Sequence, residues 1–539
     1  MKRLNLLALI VLIVAIPSMS IWAGGVTEDQ QEVKQMVIGY ASIVRSLDPA
    51  SQICNEEGSL EQNLYDNLLT YDRNDFSKLA PSLAKDWDIS SDGTEYTFYL
   101  REGAKFSTGN EVTADDVVFS FRRGLRINHP NYPGIDEYLL DDLDAAIKKI
   151  DKYTVQMTLK RPFMAFGTLL TNSHCGVIDS KTLKENVSDD DPEGVKYLDD
   201  HSLGSGPFML EEWKRNEYIK LVRNPNYWGI KENYFRVPKY DVLIDRNIPE
   251  ASVQKMMLDR GEIQMAMNLT GEMIDEYAKN TDFRIDMVPI WIGTGILMNP
   301  AKDIFSDPKV RKAVRYAIDT ETIIEDILRG YAIPMDRPIF QPFPASLKDG
   351  EERLYDYDVA KAKELMGQSD YPDGGEFTIV IGTGGGFGAP WEVIVQKELA
   401  DLEKIGLKGK IEQYDWSVVD EKTTSGDYEA LQFWTGLFID EVAGNSVTHA
   451  HSTKSFYLRV LPDYVNPEID RLCDEADAEQ DPATREKLYR QMALEHFEDG
   501  PYAWVGQKLQ PFVFPKNVKG FDTYSSLYNI DFSVFYYED

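Results

Sequence analysis

Period-two strands and helical stripes alternate along the whole chain with no long flexible linker between them, and this interleaving is what most limits the fold. Tyr96, Phe98 and Leu100 alternate with polar residues, and so do Val155, Met157 and Leu159. Both read as strands with one wet face. Phe377-Thr-Ile-Val-Ile381 is a continuous apolar run, better read as a buried strand. Thr113 and Asp116 form a capping-box-like start, and Ala114, Val117, Val118 and Phe121 then share one face. Asp307-Pro308 reads as an N-cap followed by Pro at the first helical position. Val310, Ala313, Val314, Ala317 and Ile318 follow as an apolar stripe. Gly330 and Gly367 are placed as left-handed helix ends, and Pro482 opens a late helix carrying Leu488, Met492 and His496. No internal repeat is found. At roughly 150 residues per domain, 539 residues suggest about three domains. Compact units without linkers point to lobes that the chain crosses more than once.

The charge excludes some partners. With 57 Lys+Arg against 90 Asp+Glu the formal net charge is -33. That argues against nucleic acid, which needs clustered Lys and Arg, and against anionic lipid. The first 23 residues read as a cleavable secretory signal: Lys2 and Arg3, an apolar run from Leu6 to Ile16, Pro17, then Ala23 before Gly24. The run is too short to span a bilayer. No Cys follows the cut, so a soluble exported product without a lipid anchor is expected. Cys54, Cys175 and Cys473 allow one disulfide or none, and buried thiols without a role are the plainer reading.

Catalytic motifs are missing from the sequence. No HExxH, paired CxxC or GxSxG is present. His449 and His451 would face one side of a strand and could hold a metal, but no third ligand is assignable. Two polar loop histidines are the simpler reading. Thr383-Gly-Gly-Gly-Phe-Gly388 lacks the Lys-Ser/Thr ending of a phosphate loop and reads as an ordinary turn. Acidic pairs such as Asp115-Asp116 and Asp141-Asp142 read as caps and solvated faces. No cofactor, metal or catalytic residue is expected.

An ordered set of segments says more. Ser46-Leu-Asp-Pro-Ala50 is followed by Leu64-Tyr-Asp-Asn-Leu-Leu69, Leu79-Ala-Pro-Ser-Leu-Ala-Lys-Asp-Trp87 and Ser91-Asp-Gly93. Then come Leu100-Arg-Glu-Gly103, Val112-Thr-Ala-Asp-Asp-Val-Val-Phe-Ser120, Gly204-Ser-Gly-Pro-Phe208 and Arg223-Asn-Pro-Asn-Tyr-Trp228. Phe305-Ser-Asp-Pro-Lys-Val-Arg-Lys-Ala313 and Tyr316-Ala-Ile-Asp319 close the series. In this order the chain resembles the family 5 solute-binding proteins of ABC importers, which include oligopeptide-, dipeptide- and nickel-binding proteins.

The resemblance implies an α/β, two-lobed periplasmic-binding-protein fold of the class with crossing strands, plus an extra domain, with a hinge between the lobes. It implies lobe I from 24–69, 202–290 and 500–539, the extra domain from 70–201, and lobe II from 291–499. A peptide or similar-sized solute would be enclosed between the lobes and delivered to permease subunits by a monomeric, periplasmic receptor that is not an enzyme. Matching the motifs places one pocket segment at Gly58, Ser59 and Leu60, where relatives use main-chain groups. A second falls at Trp434, Thr435 and Gly436, with Trp416 as another pocket aromatic; core packing is the competing role for each Trp. Phe433 stands where relatives usually have Gly, and Leu437 where peptide binders place the Asp that meets the ligand ammonium. Asp440 or Glu441 replaces that Asp if the loop is shifted. Otherwise the ligand is neutral, and an oligosaccharide stacked on Trp416 and Trp434 is the alternative. Nickel is a weaker branch, resting on His449 and His451. An exported α/β hydrolase is the more distant alternative.

Overall fold

The computed structural model describes residues 33–538 apart from 42, 53, 74, 128, 130–134, 349, 387–388, 437–442, 456–457, 459–460, 462–463 and 522–528. The proposed signal segment therefore lies outside the described residues.

Two long strands organise the molecule. Phe283–Met298 and Tyr502–Pro515 pair antiparallel at the centre of an 11-stranded sheet. On one side of the pair lie Ala430–Gly436, Gly375–Gly382 and Leu407–Tyr414. On the other lie Met265–Ala266, Gln35–Tyr40, Val242–Asn247, Tyr218–Arg223 and Phe208–Lys214. Each long strand feeds two separate cores. Val288, Ile290, Phe512 and Phe514 pack with Met36, Ile38, Leu60, Leu243 and the C-terminal Phe532 and Phe535. Ile296, Met298, Ala503 and Val505 instead pack with Val310, Val314, Ile379 and Ile394. A further cluster around Trp291, Tyr502 and Trp504 belongs to this second end. Two strands shared by two cores give two lobes joined by crossing strands.

A third core belongs to a four-stranded antiparallel sheet of Ala84–Ile89, Glu95–Leu100, Thr154–Thr158 and Ile147–Asp151. Tyr96, Phe98 and Leu100 are buried and their neighbours are wetter, as the alternation requires. The helix Ala114–Ile127 packs Val117 and Phe121 into the same core. At its start Asp116 accepts from the Thr113 amide at 2.9 Å, and the Thr113 hydroxyl donates to the same oxygen at 2.8 Å.

Other expected elements form as read. Asp307 caps the helix Pro308–Ala317 by accepting from the Lys309 amide at 2.8 Å. Phe377–Ile381 lies within a strand that runs parallel to both neighbours. Gly330 takes φ +76°, as a left-handed position needs. Gly367 does not: it is the last residue of the helix Val359–Gly367, and Gln368 follows in right-handed conformation. Cys54, Cys175 and Cys473 are not joined to one another by a disulfide, and Cys175 and Cys473 are buried.

Candidate ligand site

The strand Ala430–Gly436 delivers the expected pocket residues to the crossing strands. Its register on the first crossing strand places Trp434 opposite Thr294, Thr435 opposite Gly293 and Gly436 opposite Ile292. Buried polar contacts fix that register: Thr294 Oγ1 donates to Phe433 O at 2.8 Å and Gln432 Nε2 donates to Thr294 Oγ1 at 3.1 Å. Glycine lets the strands come close here, since a Cβ on Gly295 would lie 2.2 Å from Ala503 O. Leu437 and Asp440 lie outside the described residues, directly beyond this strand.

Phe433, the departure from the relatives' Gly, is a core residue. Its ring meets Tyr502 edge-on at 5.2 Å and Trp504 at 5.0 Å. Trp416 opens the helix Trp416–Ser425 and is partly buried where two clusters of the second lobe meet. Its indole lies flat against Gly382, and Nε1 donates to Thr383 O at 3.1 Å.

Gly58, Ser59 and Leu60 form part of the helix Asn55–Leu64 in the first lobe. Gly58 N donates to Cys54 O within the helix at 3.2 Å. The Ser59 hydroxyl accepts from Ile530 N at 3.0 Å and from Tyr40 OH at 3.4 Å. Leu60 is buried in the core that also takes Phe512 and Phe514. This segment and Trp416 therefore belong to different lobes.

One feature escaped the sequence reading. In the first crossing strand, register is lost between Pro289 and Gly293, which pair with Leu509 and Gln507. Residues 290–292 thus bulge against the single position Lys508, and Gly436 pairs with the bulge from the far side. Pro289 was the available signal, because proline cannot donate to a ladder and is confined to edges and bulges.

The histidine pair does not sit on a strand. His449 lies in the helical turn Ser446–Ala450, its ring 5.2 Å from Trp504 and 5.8 Å from Phe340. Burial holds it well below the ordinary histidine range. His451 faces Asp470 at 3.3 Å and Asp474 at 3.5 Å. His496 stacks on Tyr502 and is pushed down to about 3 by burial and then by the charges of Arg315 and Arg311. Among the described residues no group of three or more His, Cys, Asp or Glu is placed to hold a metal.

The extra domain reaches the second lobe. Met164 N donates to Asp477 O at 3.1 Å, and the turn at Gly93 lies beside Gln480.

Two lobes on crossing strands, an added antiparallel domain and a strand end at the junction define a two-lobed periplasmic binding protein. HbpA2 from Haemophilus parasuis has this fold, with a TM-score of 0.83 at 23% identity over 94% of this chain and all of that one. DppA from Helicobacter pylori, solved with the peptide STSA, gives 0.73 at 26% identity over 95% of this chain and 99% of that one. Residues 78–456 match the family model of bacterial extracellular solute-binding proteins, family 5. The chain belongs to that family. A probable D,D-dipeptide-binding periplasmic protein of Escherichia coli is 29% identical over 90% of this chain and 91% of its own length. Heme-binding protein A of Haemophilus influenzae is 28% identical over 85% of this chain and 84% of its own. These homologues are binding proteins for transport, not enzymes, which removes the hydrolase alternative.

Proposed function

We propose that the protein is a periplasmic receptor that captures a peptide between its lobes and hands it to the permease of an ABC importer. The observation that carries this reading is the junction itself: strand Ala430–Gly436 ends on the crossing strands that both lobes share. A hinge there lets the lobes close on a solute. Peptide-binding relatives support the ligand class, among them the Escherichia coli protein and the peptide-bound Helicobacter protein. The reading keeps Trp416, Trp434, Thr435 and Gly436 as pocket residues of the second lobe. It assigns the ammonium-binding role to Asp440, with Leu437 as an apolar contact. Gly58, Ser59 and Leu60 support the first-lobe wall from within their helix. Residues 1–23 serve as the export signal, and the mature receptor is a monomer. The oligosaccharide alternative gains no support from the relatives and is not carried further.

The test is a thermal shift of the mature protein against short peptides and linear oligosaccharides. A ligand specific for the folded state stabilises it by about 2.7 kcal/mol at 100-fold over Kd. Shifts with peptides alone are expected, and Trp434→Ala should abolish them without lowering the ligand-free melting temperature. A shift with sugars alone would overturn the reading.

A further inference from the structure

Lys508 is a lone cation on the second crossing strand. It is partly buried, and among the described residues it has no ion pair and no side-chain hydrogen bond. Burial draws its ammonium below the ordinary lysine value, with no acidic neighbour among the described residues to offset it. Partial desolvation of an unpaired ammonium costs stability, so surface lysines normally avoid it.

Its position is specific. On one side Lys508 pairs with Ala332 of the short strand Ala332–Pro334, whose residues carry no charge. On the other it faces the bulge of residues 290–292, which include the buried Trp291. Gly436 pairs with Ile292 across that bulge. Lys508 and Gly436 therefore lie abreast, two strand spacings or about 10 Å apart. Along its own strand, Lys508, Gln510, Phe512 and Phe514 share one face by alternation. Phe512 and Phe514 pack in the same core as Leu60 of the helix Asn55–Leu64. Lys508 continues that face past the edge of the core, at the point where the chain passes from one lobe to the other.

We infer that Lys508 receives a carboxylate of the bound ligand, so that the solute is an anion or a zwitterion rather than a neutral molecule. The inference rests on the cleft reading above and sharpens it. For a peptide the carboxylate is the C-terminus or an acidic side chain. A charge-assisted bond between ammonium and carboxylate gives the lysine the partner that the described residues do not supply. The competing role is a lysine that merely lays its apolar stem along the hinge with its head in water.

The experiment measures calorimetric affinity of the mature protein and of Lys508→Met for Ala-Ala-Ala, for its C-terminal amide and for Ala-Glu-Ala amide. Glutathione is included as a carboxylate that is not an ordinary peptide. In the wild type, tri-alanine should bind about 10- to 100-fold more tightly than its amide, the size of one charge-assisted bond. Rescue of affinity by Ala-Glu-Ala amide would assign the contact to a side-chain carboxylate instead. Lys508→Met should fold, melt no lower than the wild type, and lose the preference for the acid. Peptide binding with the acid preference intact in Lys508→Met overturns the lysine and leaves the peptide reading standing. Binding of glutathione but of no simple peptide, abolished by Lys508→Met, keeps the lysine and overturns the peptide reading. No binding of any carboxylate overturns both.

Discussion

Asp48 and Arg123 form a two-pronged ion pair sealed inside the protein: Arg123 Nη1 donates to Asp48 Oδ1 at 2.8 Å and Nη2 to Oδ2 at 2.6 Å. Their side chains are 0% and 2% exposed. Asp48 also caps its own turn by accepting from Ala50 N. The pair ties the Ser46–Ala50 segment to the helix Ala114–Ile127 of the extra domain. Asp48→Ala leaves a buried guanidinium unpaired, so a loss of about 3–5 kcal/mol is expected in urea unfolding. Ligand affinity of the surviving folded protein should stay unchanged. A large affinity loss at full stability would move Asp48 into the binding site.

The same logic explains which parts of the molecule were legible in the sequence. Asp66, of the Leu64–Leu69 segment, accepts from Trp228 Nε1 at 2.8 Å, from Ser205 Oγ at 3.1 Å and from Arg236 Nη1 at 3.0 Å. Three separate motifs thus meet at one buried carboxylate. They are structural anchors, which is why they announced the fold and said little about the ligand. Strands with one wet face and capped helices were equally readable, because period and cap chemistry are local. Gly367 was misread as a left-handed cap because glycine at a helix end is compatible with either hand. The bulge opposite Lys508 was signalled only by Pro289, because register is a property of two strands and not of one. His449 and His451 would share a face only on a strand; His449 instead lies in the helical turn Ser446–Ala450 with His451 just beyond it, and both are buried rather than at a loop surface.

Glu56, in the first turn of the helix Asn55–Leu64, and Asp245, on strand Val242–Asn247, face each other in the first lobe. Burial raises both carboxyls above the ordinary range, and Asp245 and Glu57 raise Glu56 further. The native state therefore holds protons that the unfolded chain releases. Their contribution is complete below the ordinary carboxylate range and is lost as pH rises through the raised values, by about 1.4 kcal/mol per pH unit for one proton. Urea unfolding at roughly pH 6 and 8 should show this decline in the wild type. Asp245→Asn should flatten it and be the more stable protein at the higher pH. Parallel slopes in the two proteins would rule out a shared proton at this pair.

Trp416 is held by contact with Gly382, where a Cβ would lie 2.4 Å from Cζ2 of the indole. Gly382→Ala therefore displaces the ring without touching its chemistry. Overpacking of this kind costs about 1–3 kcal/mol. If the indole forms part of the pocket, peptide affinity falls as well, and Trp416→Phe, which keeps an aromatic face but loses the bond to Thr383, should lose less. Calorimetry on both variants checks this. Affinity unchanged in Gly382→Ala, despite a lowered melting temperature, would make Trp416 a packing residue only.

The bond from Met164 N to Asp477 O joins the extra domain to the helix Pro467–Ala478 of the second lobe. If the lobes separate about the crossing strands, as the proposed function requires, this contact between the extra domain and the second lobe breaks. The Met164 amide is therefore a reporter of closure. Hydrogen exchange at Met164 should slow when a peptide binds, because exchange from a bonded amide follows the population of the opened form. Amides in the core around Phe98 and Phe121 should not change, as that core stays intact in either position of the lobes. Lys508→Met should leave the ligand-free exchange rate at Met164 as it is and remove the slowing by tri-alanine. Protection at Met164 that is already complete without ligand, and insensitive to it, would mean that the lobes do not open at this edge.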